Sequence, residues 1–144
     1  MEDLVIREFN IEDYRQIISL WDKVNLPYRP EGRDSPANIT QQIANGTTIF
    51  LVVESDDKLV GTVLGTHDGR KGWINRLALD PEYRRRSIAR RLVNELERRF
   101  DKLGLEVIAC LIEGHNAVSL EVFKKLGYNY YDVRYFSKRK SVKS

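Results

Sequence analysis

The chain is poor in the residues that build disulfide frameworks and metal sites: one cysteine and two histidines in 144 residues, with one methionine and four prolines. A single cysteine, Cys110, excludes an internal disulfide and any multi-cysteine zinc centre, and no metal is expected. Cys110 lies inside the apolar run VIACLI, where a buried structural thiol is expected rather than a reactive one. No apolar run approaches the ~20 residues that a membrane span needs. The opening MEDLVIREF is acidic and lacks the basic-then-apolar layout of a secretory leader. These absences point to a cytoplasmic protein with no membrane partner.

What is present is ordinary in amount and uneven in placement. Apolar residues make up 42% and charged residues 31%, as in soluble globular proteins. A chain of this length buries roughly two-thirds of its unfolded surface. The net charge is only +3, yet seven of the fifteen arginines fall between Arg84 and Arg99. The closing SKRKSVKS adds four cations. The expected organisation is one domain over residues 1–137 and a basic, solubilising tail over 138–144.

Periodicity predicts the elements. LVIREF reads as a short strand, and Asn10 with Asp13 three residues on approximates a capping box. Ile11, Tyr14, Ile17, Ile18, Trp21 and Val24 then repeat at helical spacing. NLPYRPEGRD is a loop, and Ser35-Pro36 opens a second helix that closes at Asn45-Gly46. TIFLVVES, KLVGTVLGTHD and WINRLALD read as three antiparallel strands. After Pro81 comes a long helix with Ile88, Leu92, Val93, Leu96, Phe100 and Leu103 on one face, closed by Gly104. EVIACLI is expected to be a strand buried on both faces. An Asn116-capped helix ends at Gly127, and YNYYDVRYF is the last predicted strand. The fold class is α/β (a mixed α+β sheet) in the order β-α-α-β-β-β-α-β-α-β.

That order puts RRRSIARR, Arg84 to Arg91, between a strand and the start of the long helix. A helix start offers unpaired N–H groups and about half a positive charge, and so attracts anions. Arg84, Arg85 and Arg86 repel one another and oppose the dipole there unless an anion neutralises them. Arg90, Arg91, Arg98 and Arg99 read as a solvated face instead. Nucleic acid is the competing partner, but no aromatic platform interleaves with these arginines and no DNA-binding motif frames them, so none is expected.

LALDPEYRRRSIARRLVNELE, with HNAVSLEVFKKLGY after the next strand, resembles the core of GCN5-related N-acetyltransferases (GNAT). The family's Q/R-x-x-G-x-G/A motif is met at Arg84 and Ala89 and departs at Ser87, which stands for a glycine. The pattern N-x(6)-Y/F-x-x-x-G-F/Y is met by Asn116, Phe123, Gly127 and Tyr128. The resemblance implies a splay between WINRLAL and EVIACLI that admits acetyl-CoA as co-substrate. Its pantetheine would pair with the backbone of Leu77, Ala78 and Leu79. Its pyrophosphate would rest on the segment Arg84, Arg85, Arg86, Ser87, Ile88, Ala89 and Arg90, and Asn116 and Phe123 would face the pantetheine arm. Ser87 is expected to avoid positive φ and to use its hydroxyl as a cap or phosphate donor, so that Ser87→Gly leaves affinity unchanged or weaker.

The implied reaction is direct acetyl transfer to a primary amine of a small molecule, peptide or protein. The Leu79 N–H would be the oxyanion donor. Where the family commonly places a tyrosine acid, the chain has Phe123, so that acid is unassigned. The strand that carries a glutamate in some relatives offers only Asn75 and Arg76. Base or acid candidates elsewhere are His67, Asp68, Glu113, His115 and Tyr128. Tyr28, Arg29 and Arg33 in the proline loop, with Asn75, are the candidate acceptor contacts. The alternative is a catalytically weakened acyl-CoA-binding or regulatory module. The aromatic segment YNYYDVRYF leaves pairing between two copies, a homodimer, as a further expectation.

Overall fold

The computed structural model describes residues 3–114 and 116–144. Five strands form one sheet in the order β1-β2-β3-β4-β5: Leu4–Glu8, Thr48–Ser55, Lys58–His67, Lys71–Leu79 and Val107–Cys110. The first three pairings are antiparallel, and β4–β5 is parallel, as its long crossover requires. That crossover is helix α3, Ile88–Lys102. Helices α1, Tyr14–Lys23, and α2, Pro36–Ala44, precede β2, and α4, Ala117–Lys125, follows β5.

The cap residues fix the helix starts as expected. Asn10 and Asp13 form the full reciprocal box, over a single 3-10 turn that leads into α1. Ser35 accepts from the Asn38 N–H ahead of Pro36 at the first helical position. Helix α1 buries Ile17, Leu20 and Trp21 against Phe50, Val52 and Leu64 on one sheet face. The Trp21 indole donates to Thr62 Oγ1 at 3.0 Å, which satisfies both polar groups inside that layer. On the other face α3 packs Leu92, Leu96 and Phe100 onto Val53, Val63 and Ile74. Two glycines admit α3 so closely. A Cβ on Gly65 would lie 2.8 Å from Leu96 Cδ1, and one on Gly72 would lie 2.6 Å from Phe100 Cδ2.

Two expectations fail at the C-terminal end. The run 106–112 yields only four strand residues, and it is not buried on both faces: Val107 and Leu111 are exposed. The sheet ends at β5, which among the described residues pairs with β4 alone. The last predicted strand, 128–136, is in no ladder among the described residues, because the alternating pattern has no partner to bond. The basic tail turns back, and the Lys143 carbonyl packs against Gly32.

Candidate active site

Strand β4 changes neighbours halfway along. Lys71 to Ile74 pair with Val107 to Cys110 on one side and with β3 on the other. At Asn75 the β3 register shifts by one residue, and from Arg76 to Leu79 only β3 remains paired. A bulge adds local twist. Here it falls at the point where β5 stops, so the expected splay opens between the two strands. The Asp80 N–H donates to the Val60 carbonyl at 2.8 Å. Alternation along an antiparallel ladder therefore turns the backbone groups of Leu77 and Leu79 away from β3, onto the open edge. Buried-side amides without a strand partner need another one.

Immediately beyond lies the arginine segment. Asp80 caps a 3-10 turn, Pro81–Tyr83, by accepting from the Glu82 N–H. Burial alone would raise the Asp80 carboxyl, but the Glu82 amide and the Lys23 ammonium at 3.0 Å hold it below the ordinary value. Arg84 is extended, whereas Arg85 and Ser87 are left-handed, at φ 65° and 61°. Ser87 makes no side-chain cap, so the expectation that it avoids positive φ is wrong, and of the two roles expected of its hydroxyl the helix cap is not made. Glycine takes this conformation freely, while serine is strained by ~1 kcal/mol or more. Left-handed residues in a tight segment gather successive N–H groups into an anion-binding concavity. The first turn of α3 adds the N–H groups that no helical carbonyl reaches. Arg84, Arg85, Arg86 and Ser87 are exposed around it, and the Arg86 guanidinium stacks 5.0 Å from the Tyr83 ring centroid. The Ile88 side chain is buried in the core, so that position can offer only its backbone.

Residues 14–128 match the model of the acetyltransferase (GNAT) family. The chain belongs to that family. It is similar in fold to the PaiA N-acetyltransferase of Thermoplasma acidophilum, solved in complex with coenzyme A. That match has 22% identity over 92% of this chain and 93% of the other, with a TM-score of 0.79. An aminoglycoside N-acetyltransferase, AAC(6')-Iy, also solved with CoA, aligns at TM-score 0.82 and 17% identity over 98% and 97% of the two chains. Glucosamine-6-phosphate N-acetyltransferase from Arabidopsis thaliana aligns at 0.78 and 17% identity over 97% and 100%. Among the described residues no cluster of three His, Cys, Asp or Glu side chains could hold a metal ion, and no helix is long and apolar enough to cross a membrane.

The remaining candidates of this GNAT chain separate by position. Asp68 accepts from the backbone of Arg70 and Lys71 at 2.8 and 2.9 Å, and these bonds hold its carboxyl below the ordinary value. It is a turn residue at the start of β4, roughly 25 Å from Leu79 at strand rise. His67, beside it, contacts the Gly46 carbonyl. Tyr128 donates to Glu97 Oε2 at 2.6 Å, and burial, reinforced by that carboxylate, raises its pKa far above normal. Its proton is committed to α3. Phe123 is buried, edge-on to Tyr128 at 5.2 Å. Glu113 lies exposed beyond β5, at the end of the sheet where β4 also stops, and is the one carboxylate of the expected set there. His115 lies outside the described residues. Asn116 Oδ1 caps α4 by accepting from the Ser119 N–H.

The proline loop is more organised than its composition suggests. Arg76 Nη2 pairs with Asp34 Oδ2 at 2.8 Å, both largely buried, and its guanidinium lies 5.6 Å from the Trp21 ring centroid. Asp34 also accepts from the Arg29 N–H, and its carbonyl accepts from the Tyr14 hydroxyl. This pair, which sequence reasoning missed, ties the loop to the open half of β4. The local signal was an arginine within the strand WINRLAL. Tyr28 donates to Asp22 over a shallow hollow of about 480 Å³. Arg33 is exposed, and Asn75, at the bulge, donates to Thr66 Oγ1. The arginine helix face is also not simply solvated: Arg99 bonds Glu8 of β1 at 2.7 Å and Arg90 reaches the Lys125 carbonyl at the end of α4.

Proposed function

We propose that this protein transfers the acetyl group of acetyl-CoA to a primary amine of a small molecule or peptide. The observation that carries the reading is the continuity of two features: the unpaired β4 edge at Leu77 and Leu79, then the left-handed cradle at Arg85 and Ser87. An amide-bearing arm can complete the edge as an added strand would, and a pyrophosphate can take the cradle's N–H groups. Acetyl-CoA, bound this way, supplies an activated thioester. Leu79 N–H then donates to the carbonyl oxygen as negative charge develops on it. With Asn116 Oδ1 engaged in its cap, a contact from Asn116 to the pantetheine would be donated by Nδ2.

The acceptor must lose a proton, since an alkylamine has a pKa of about 10.4. No carboxylate projects from the open half of β4, so a water-relayed base suits the site, and Glu113, beyond the end of β5, is the carboxylate the proposal assigns to it. The departing thiolate needs little help, because a thiol pKa of about 8.5 makes it a good leaving group. A buried Phe123 and a committed Tyr128 are compatible with transfer for that reason. They also favour the second reading, a weakened acyl-CoA-binding module.

Thiol release from acetyl-CoA with a panel of polyamines, aminoglycosides, amino sugars and peptide N-termini tests the proposal. Turnover with at least one amine is expected. Tight CoA binding with no turnover on any of them would replace transfer with the binding module.

A further inference from the structure

The connector between α1 and α2 is tied to the open half of β4 at both ends of that half. Where α1 ends, the Lys23 ammonium lies 3.0 Å from Asp80 Oδ2, one residue past Leu79. Just before α2 begins, Asp34 Oδ2 accepts from Arg76 Nη2 at 2.8 Å, at the first residue past the bulge. Both carboxylates are buried. Arg76 and Asp80 are about 13 Å apart at strand rise, far less than residues 24–33 can span when extended. The connector is therefore slack between its ties, and its path depends on them.

The two ties are not equal. The Lys23 side chain is 49% exposed and makes an ion pair that water screens. The Arg76 side chain is 13% exposed, and its guanidinium also lies over the Trp21 ring at 5.6 Å. Tyr28, which lines the hollow of the connector, packs on the same ring at 5.7 Å. Asp34 passes the tie onward: it accepts from the Arg29 N–H at 2.7 Å, and its carbonyl accepts from the Tyr14 hydroxyl at 2.6 Å.

Stability alone does not call for such a pair. A buried ion pair is often no more stabilising than apolar residues of similar volume. This one also encloses Arg76 Nε with no acceptor among the described residues, and an enclosed donor without a partner costs free energy. What the pair does supply is a fixed place for the connector relative to the strand.

We propose that Arg76 is a positioning residue for the acceptor amine: through Asp34 and Trp21 it holds residues 26–34, with Tyr28, beside the open half of β4. This role rests on the acetyl-transfer reading and deepens it. Leu77 and Leu79 pack on the α3 side of the sheet, whereas Arg76 lies on the α1 side over Trp21. Loss of Arg76 therefore leaves the open edge and the cradle in place. A single contact, Nη2 to Oδ2, makes the tie, and a lysine can make a single contact in its stead.

Arg76→Met combined with Asp34→Asn removes both charges and keeps an amide oxygen for the Arg29 N–H, so no lone charge is buried. Amide exchange on the free protein, CoA calorimetry and kinetics with the panel amine of highest kcat/KM test the role. Exchange over residues 26–34 should be about tenfold faster and the acceptor KM about tenfold higher, with the CoA Kd unchanged. Arg76→Lys should keep the acceptor KM near the wild-type value. Asp34→Asn alone, which weakens the tie without removing either side chain, should give the same changes in smaller measure and covers a double variant that does not fold. An unchanged acceptor KM in these two variants would overturn the role. So would a CoA Kd that rises with the acceptor KM, or a lysine variant as impaired as the double one. Wild-type protein that acetylates no amine would instead overturn the acetyl-transfer reading, and the positioning role with it.

Discussion

The two halves of β4 lie on one strand and have opposite duties. Lys71 to Ile74 are held on both sides, with α3 pressed so close that Gly72 leaves no space for a Cβ. Arg76 to Leu79 keep one neighbour, and the outward backbone groups of Leu77 and Leu79 meet an open edge. The first half completes the core, and the second half withholds pairing that a bound molecule can supply. A one-residue bulge at Asn75 divides them. The proposed site thus arises from a sheet that stops early.

The comparison breaks most visibly in the closed half. Gly72→Ala forces Phe100 to move, and overpacking of this kind costs about 2 kcal/mol. At this chain length that is a Tm lower by roughly 4–8 °C in a thermal melt, with CoA affinity of the folded fraction unchanged. The open half should respond in the opposite sense. Arg84→Ala with Arg85→Ala removes two charge-assisted contacts and should raise the CoA Kd about tenfold by calorimetry. Tm without CoA should hold or rise slightly, because cations at a helix start oppose the dipole.

Ser87→Gly sharpens the boundary between strain and function. Relief of the left-handed serine should add about 0.5–1 kcal/mol of stability in denaturant titrations. CoA should bind equally well or a few-fold tighter, which reverses the direction drawn from sequence alone. The smallest effect concerns Cys110, on the last paired rung opposite Ile74. Burial pushes its thiol up to about 11. Alkylation of the native protein at pH 8 should be slow and should accelerate as pH approaches 11. The neutral thiol is the form that the fold favours, so this group's contribution to stability is lost as pH rises above the ordinary 9.0, where the unfolded thiol ionises.

Local pattern made most of the fold legible. The helical spacing from Ile11 to Val24 and from Ile88 to Phe100, and the caps at Asn10 and Ser35, depend on residues within a few positions of one another. The proposed cradle is marked in the sequence by arginines at a strand-to-helix junction, which contradict the helix dipole. Its conformation is not: nothing in RRRSIARR says that Arg85 and Ser87 take positive φ. The Arg76–Asp34 pair joins residues 42 positions apart and leaves no periodic trace. YNYYDVRYF shows the limit most clearly. Alternation states that a segment is fit to be a strand, and only a neighbouring edge makes it one.

The most direct test is a crystal structure with acetyl-CoA bound. The expected result places the thioester oxygen within about 3 Å of Leu79 N and the pyrophosphate on the amides between Arg85 and Arg90. Acetyl-CoA bound away from the β4 edge, or seated there with its thioester out of reach of Leu79 N, would contradict the account.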